Sequence, residues 1–193
     1  YNSIGGAIIN NTIASNSYSI RFNFESAGNI MYALSKATNI RKNNDGEYAI
    51  LGIPYAQYVK GEFDFSKNIR IDHRNSFAFH IGMGIAVPYG NAKTIPFEKQ
   101  YFSGGANSVR GWTVRDLGPG SFVRDENTNL LDQSGDIKLD ASIEYRSKLF
   151  WKFQGAIFVD AGNIWTIRDY DNQPGGVFKF DKFYKQIAVA YGL

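Results

Sequence analysis

Cysteine is missing from all 193 residues, which excludes a disulfide framework, thiol chemistry and any cysteine-ligated zinc site. Long apolar runs are missing too, so no segment has the roughly 18–20 consecutive apolar residues that a membrane-spanning helix requires. Histidine is almost absent: His73 and His80 are the only two, and nothing sets them beside each other or beside a fixed carboxylate. His80 falls in the polar row of an alternating segment and His73 in a turn, so neither suggests a metal site. There is no G-x-S-x-G elbow. Gly82 with Gly84, and Gly104 with Gly105, lack the following helix that a phosphate loop needs. These absences argue against an enzyme, and no cofactor or metal is expected. A dominant charge sign is lacking as well. The 21 Lys plus Arg stand against 18 Asp plus Glu, for a net charge of +3 and a pI near 9.0. Acids and bases are interleaved without a basic run, so nucleic acid is not an expected partner. The longest mixed cluster, Arg41-Lys42-Asn43-Asn44-Asp45, reads as a solvated loop tip.

What the chain does contain is glycine and aromatics: 20 Gly, 15 Phe, 12 Tyr and 3 Trp, in a sequence whose mean hydropathy is only −0.30. The aromatics are spaced by polar residues, one at a time. From Asp136 to Arg146 every even position is polar or charged and every odd position is apolar or aromatic, the period of a strand with two unlike faces. The same pattern recurs over Tyr18–Glu25, Tyr58–Ser66, Phe77–Val87, Lys152–Ala161 and Gln186–Leu193. Weaker candidates lie at Gly5–Asn10 and Ile95–Phe102. About eight strands follow, joined by Asn-, Asp- and Gly-rich loops, and helical spacing fits none of the strong segments. A soluble sandwich would alternate in the same way, but strands of eleven or more residues exceed the usual five or six. The expectation is an all-β, transmembrane antiparallel β-barrel whose polar rows line the lumen and whose closure satisfies the backbone. Tyr89, Tyr145, Trp151 and Trp165 would sit at the membrane interfaces, with Pro88 at a strand end.

One connection is unusually long, running from about residue 104 to 134. Loops of that length are uncommon and are often functional. It carries Tyr101-Phe102-Ser103-Gly104-Gly105 at its start, then Val109-Arg110-Gly111-Trp112, then Leu117-Gly118-Pro119-Gly120. Glycines beside an arginine and aromatics suggest tight turns that aim Arg110. Folded back over the polar rows, Arg110 would meet Glu144 and Asp160, two carboxylates on neighbouring strands able to grip one guanidinium. The other reading is a solvent-exposed loop arginine.

The run Phe102-Ser103-Gly104-Gly105, Ser108-Val109-Arg110-Gly111-Trp112 and Leu117-Gly118-Pro119 resembles the sixth extracellular loop of the Omp85 superfamily, whose hallmark is Val-Arg-Gly followed by an aromatic. Phe158-Val159-Asp160-Ala161-Gly162-Asn163-Ile164-Trp165 and Ser142-Ile143-Glu144-Tyr145 resemble the segments that follow it in that family. Phe24-Glu25-Ser26-Ala27-Gly28-Asn29 resembles versions found in Bacteroidetes. The superfamily includes the central subunit of the β-barrel assembly machine and its translocation-and-assembly relatives. Trp112 departs from the commoner Phe or Tyr, bringing a larger ring and an N–H that needs a partner.

The resemblance implies that residues 1–193 are part of a sixteen-stranded barrel domain, about eight strands of it, preceded by POTRA domains. It implies that 104–134 is an extracellular loop inserted into the lumen and held by Arg110 on Glu144 and Asp160. It also implies an outer-membrane factor for the assembly and insertion of other β-barrel proteins. The implied partners are membrane lipid, unfolded outer-membrane clients, and periplasmic or lipoprotein accessory subunits. A passive porin-like channel and a pore secreting a soluble partner are the alternatives.

Overall fold

The computed structural model describes residues 2–13, 16–43, 46–50, 52–123 and 133–193. Period-two alternation produces long strands: β1 (Asn2–Ile13), β2 (Asn16–Ala27), β5 (Tyr58–Arg70), β6 (Asn75–Pro88), β7 (Ile137–Lys148) and β8 (Gln154–Trp165), with a five-residue β9 (Ala188–Gly192). These seven form one antiparallel meander in the order β1-β2-β5-β6-β7-β8-β9. The two-residue strands β3 (Ala49–Ile50) and β4 (Ile53–Pro54) make a separate small hairpin. Register keeps like with like across the sheet. Phe22 pairs with Phe63, Phe63 with Met83 and Met83 with Leu139 on one face. On the other, Arg21 pairs with Asp64, and Ser142 pairs with both His80 and Asp160.

The expectation of a closed, all-β transmembrane barrel is corrected by this topology. β1 and β9 are the ends of an open sheet and do not pair with each other. Alternation reports that a strand has two unlike faces; it carries no information on whether the first and last strands meet. An open sheet leaves the edge N–H and C=O groups of β1 and β9 unpaired, so these strands do not make a closed transmembrane barrel. The fold is also not purely β. A nine-residue helix, α1 (Asn29–Ala37), follows β2, at a place where no helical period was read. It starts at Gly28, whose φ of +81° places the chain so close to Ala56 that a methyl group there would lie 2.3 Å from the carbonyl oxygen. Asn29 then ties the helix down, accepting hydrogen bonds from Gln57 Nε2 and from the Tyr89 hydroxyl.

The candidate strand over Ile95–Phe102 is replaced by a 3₁₀ turn at Phe97–Lys99 and a single bridge between Tyr101 and Gly135. Pro96 brings no donor to a ladder, and Tyr101 is used for packing instead. Of the solvated tip expected at residues 41–45, Asn44 and Asp45 lie outside the described residues.

A sandwich is excluded by exposure. Most of the apolar face has no second layer: Ile143 is 50% and Val159 47% exposed, and Phe22, Ile81, Met83 and Ile157 are exposed with them. Apart from Trp165, buried apolar residues gather on the polar side, under the long connection. One cluster joins Tyr58, Ala86, Ile95, Tyr101 and Ile164; a second joins Val109, Leu117 and Ala190, with Trp112 and Ala188 against it. β6 makes room by being small. A methyl group on Gly84 would come within 2.5 Å of the Tyr101 ring, and one on Gly82 within 2.9 Å of Asp140.

Candidate functional site

The connection from β6 to β7 returns across the polar face and touches it at three places. Tyr101 is the first. Its ring fills the space above Gly84, its hydroxyl donates to the Gly61 carbonyl at 3.3 Å, and the Lys60 ammonium lies 4.3 Å from the ring centroid.

The second is the turn Val109-Arg110-Gly111-Trp112, closed by a hydrogen bond from Trp112 N–H to Val109 C=O. Glycines let it form. Gly104 has φ +95°, and a methyl there would sit 2.0 Å from the Thr113 carbonyl; Gly105, at φ +86°, donates its N–H to Trp112 C=O. Gly111 rests on β9, where an added methyl would lie 2.7 Å from Ala190 Cβ. Val109 is buried and Trp112 packs beside it, so the apolar residues on either side of Arg110 fix where its side chain begins.

From there the guanidinium forks onto Asp160, Nε to Oδ2 and Nη2 to Oδ1, both at 2.7 Å, while the Arg110 backbone N–H donates to the same Oδ2 at 3.1 Å. Nη1 donates to Glu144 Oε2, and the other oxygen of Glu144 accepts from Arg146 Nε. The guanidinium carbon lies 3.5 Å from the Phe158 ring centroid, a cation–π contact on a fork already held at both ends. The Asp160 side chain is 0% exposed, Glu144 14% and Arg110 25%. Hydrogen bonding to Asp160, against an opposing cost of burial, and then to Glu144 raises the Arg110 pKa above its ordinary value. The guanidinium is therefore permanently charged.

The third is Gly118-Pro119-Gly120, at the end of β8. Gly118 has φ +80° and lies against Asn163 and Ile164. Gly120 N–H donates to Ile164 C=O at 2.7 Å, and Asn163 Nδ2 donates to Gly120 C=O at 2.9 Å and to Gln186 C=O. Pro119 is fully buried. Between the second and third places, Arg115 lies between the Phe97 and Phe102 rings, 4.5 Å from each centroid.

The structure thus brings Val109, Arg110, Gly111 and Trp112 together with Glu144 and Asp160, and seats Gly118 and Pro119 on the next turn of chain. The end of the 104–134 segment is described from Gln133 onward; residues 124–132 lie outside the described residues. Sequence reasoning passed over three participants. Phe158 and Arg146 belong to the polar rows of β8 and β7 and were legible as neighbours of Asp160 and Glu144. Asn163 breaks the alternation of β8, and a polar residue in an apolar row was the signal available. Trp165, expected at an interface, is instead fully buried at the strand end, its ring against Phe178 and Phe183 and its Nε1–H on Gln186.

No group of three or more His, Asp or Glu that could hold a metal occurs among the described residues, and no helix is long and apolar enough to cross a membrane. His80 lies between Asp64 and Asp140, 3.5 Å from each, while His73 is in the β5–β6 turn.

Comparison with known proteins gives the family. The Omp85 superfamily domain profile matches residues 10–193. The outer membrane protein assembly factor BamA of Neisseria meningitidis serogroup B is 35% identical over 99 residues, which cover 47% of this chain and 12% of that protein. Among solved structures, BamA from Haemophilus ducreyi lacking POTRA domains 1–3 superposes with a TM-score of 0.52 at 18% identity, over 94% of this chain and 45% of that one. The likeness to the second protein is one of fold, and the chain spans less than half the length of either.

Proposed function

We propose, from the premise that this chain belongs to the Omp85 superfamily, that it is part of a factor assembling and inserting β-barrel proteins at the bacterial outer membrane. The chain is not an enzyme: this superfamily comprises assembly factors, and its work is to position polypeptide. Its partners on this reading are membrane lipid, unfolded outer-membrane clients, and periplasmic or lipoprotein accessory subunits.

The observation that carries the proposal is the seating of Val109-Arg110-Gly111-Trp112 on Asp160 and Glu144. Arg110 acts as a structural clamp. It holds the 104–134 segment against the polar face, and so keeps β7, β8 and β9 in one fixed relation to the long connection. A two-tined grip suits that task, because a guanidinium forked on a carboxylate fixes orientation as well as distance. A passive channel would need an unobstructed polar face, and that face is occupied by the long connection.

The test uses the full-length protein reconstituted in liposomes, with folding of a client β-barrel followed by its heat-resistant migration. Arg110→Ala should slow client folding relative to the parent, and Arg110→Lys should fall between them. Client folding at the parent rate with Arg110→Ala would remove the clamp from the mechanism.

A further inference from the structure

The turn between β5 and β6 and the turn between β7 and β8 lie side by side at one end of the sheet. Lys148 N–H donates to Arg74 C=O at 2.8 Å, and the Tyr145 hydroxyl donates to Asn75 Oδ1 at 2.8 Å. Residues 70–76 and 146–154 hold five of the chain's 21 bases and one of its 18 acids, so the remainder has 16 bases and 17 acids. The net positive charge of the protein is therefore concentrated at this end. Register places two of the cations. Ser76 pairs with Arg70 on one side and with Arg146 on the other, which sets the two arginines about 10 Å apart across β6, on the polar face. Arg74, Lys148 and Lys152 complete the set, and all five are exposed. The one acid is occupied by its own turn: Asp72 Oδ1 accepts from the N–H groups of Arg74 and Asn75, and Oδ2 from Asn75 Nδ2.

An aromatic cluster projects from the same end. The β7–β8 turn is closed by Leu149 N–H on Phe153 C=O and by Phe153 N–H on Phe150 C=O. The Phe153 ring centroid lies 5.2 Å from that of Phe150 and 6.4 Å from that of Trp151. Trp151 stands at the tip, 85% exposed, with Lys152 Nζ 5.5 Å from its ring. Its backbone has φ +52°, a left-handed conformation that disfavours a bulky side chain, and outliers of this kind gather at binding sites. A turn that needed only that backbone would be better served by glycine. Tryptophan and arginine are also the residues most enriched at the energetic centres of protein interfaces.

We propose that this end of the sheet docks an acidic polypeptide segment, with carboxylates on Arg70, Arg74, Arg146 and Lys148 and an apolar side chain against Trp151 and Phe153. Charge complementarity defines the partner: five exposed cations beside one engaged acid call for carboxylates, and the aromatic tip calls for an apolar anchor among them. Arg70 and Arg146 stand on the polar face, away from the exposed apolar residues, which favours a partner arriving from water over a lipid surface. Only Arg146, which also donates to Glu144, is shared with the clamp, and the surface does not depend on the assembly reading.

The experiment uses the full-length protein in neutral detergent and a fluorescein-labelled peptide of alternating Glu and Leu, followed by fluorescence anisotropy. The parent should bind this peptide saturably and should not bind its counterpart with Gln at every Glu. Added salt should weaken the binding by screening the charges. Changing Arg70, Arg74 and Lys148 together to Gln, with Arg146 and the clamp left intact, should weaken it about tenfold. Trp151→Gly removes the ring and suits the left-handed backbone, so it should weaken binding at least about tenfold with an unchanged unfolding midpoint. Equal affinity for the Glu and Gln peptides would reduce the contact to coating of the apolar face and overturn the charge recognition. Unchanged affinity in Trp151→Gly would overturn the aromatic anchor. A parent that ignores the peptide but binds micelles containing phosphatidylglycerol through the same three cations would assign the surface to lipid headgroups and overturn the proposal.

Discussion

Arg110 shows how much one side chain is asked to hold. Asp160 is wholly buried and its two oxygens take three N–H donors from the same residue. Removing the guanidinium strands that carboxylate, and breaking a buried pair from one side costs about 3–5 kcal/mol. Since Arg110 keeps some exposure, Arg110→Ala should destabilise by about 3 kcal/mol, read as a shift in the denaturant midpoint in detergent. Asp160→Ala should cost a similar amount, and the double variant clearly less than the sum of the two, because each single change destroys the same interaction. Additive losses would show that the two residues do not act on each other. Gly111 sets a steric condition on the same turn. Gly111→Ala should destabilise by about 1–3 kcal/mol through overpacking against Ala190 Cβ, and Ala190→Gly should restore part of the loss in the same unfolding assay. Asp136, just before β7, obeys a different rule. Its carboxylate is buried, with Oδ2 accepting from Ile167 N–H and no hydrogen-bond partner on Oδ1. Burial pushes its pKa up, against the opposing pull of that hydrogen bond and of Arg168. A raised carboxyl binds its proton more tightly folded than unfolded, so its contribution is present below the unfolded pKa and is lost as pH rises through the folded one. The stability of the parent relative to Asp136→Asn should therefore fall between acid and neutral pH. A difference that stays constant with pH would mean that Asp136 titrates alike in both states.

At the scale of elements, the long connection is anchored like a bridge, and Asn163 is its far pier. Its side-chain amide donates to Gly120 C=O and Gln186 C=O while its oxygen accepts from Ile164 N–H. It thereby joins the 104–134 segment to the β8–β9 connection. Asn163→Ala leaves those buried carbonyls without their donor, at about 1–3 kcal/mol each by desolvation. Hydrogen exchange should localise the effect: the Gly120 amide, bonded to Ile164 C=O, should exchange faster in the variant while β5 and β6 amides keep their protection. Uniform acceleration would indicate global unfolding instead. The elements themselves were unequally legible. β2, β5, β6, β7 and β8 announce themselves because each half-buried strand must alternate, and Glu144 and Asp160 follow from the rows they occupy, while Arg110 follows from the glycine-rich turns of the long loop. α1 is hidden for a physical reason. Its nine residues place Ile30, Met31 and Leu34 outward and the small Ser35 inward, where it accepts from the Tyr55 hydroxyl. Its position is held by Gly28 and Asn29 rather than by an apolar stripe against a core. The turn at Phe97–Lys99 has aromatic and apolar residues around it that resemble a strand, while Pro96 and the packing of Tyr101 decide otherwise. Closure of the sheet was not legible at all, since pairing between the first and last strands leaves no mark on the periodicity of either.

For the molecule as a whole, the decisive imbalance is between its two faces. The polar face is roofed by its own connection and contains both buried apolar clusters. The opposite face carries Phe22, Phe24, Ile81, Met83, Ile143, Ile157 and Val159 in the open, an apolar expanse of a kind that water-soluble monomers rarely show. Burial of apolar surface gains roughly 25 cal/mol per Å², so such a face gains by finding any cover, whatever its chemistry. The sheet adds a second route to association through the unpaired edges of β1 and β9. Two causes of self-association are thus present, and they separate by experiment. In plain buffer the chain should form large assemblies that neutral detergent disperses. Changing Phe63, Ile81, Ile143 and Val159 together to threonine keeps strand propensity while removing apolar area, and should lower the detergent required, as measured by light scattering. If instead the four-threonine variant aggregates as the parent does, and both acquire added strand signal in circular dichroism, edge pairing drives association and the apolar face is a minor term. A monodisperse parent without detergent would show that the exposed face is not the dominant feature of the molecule in solution.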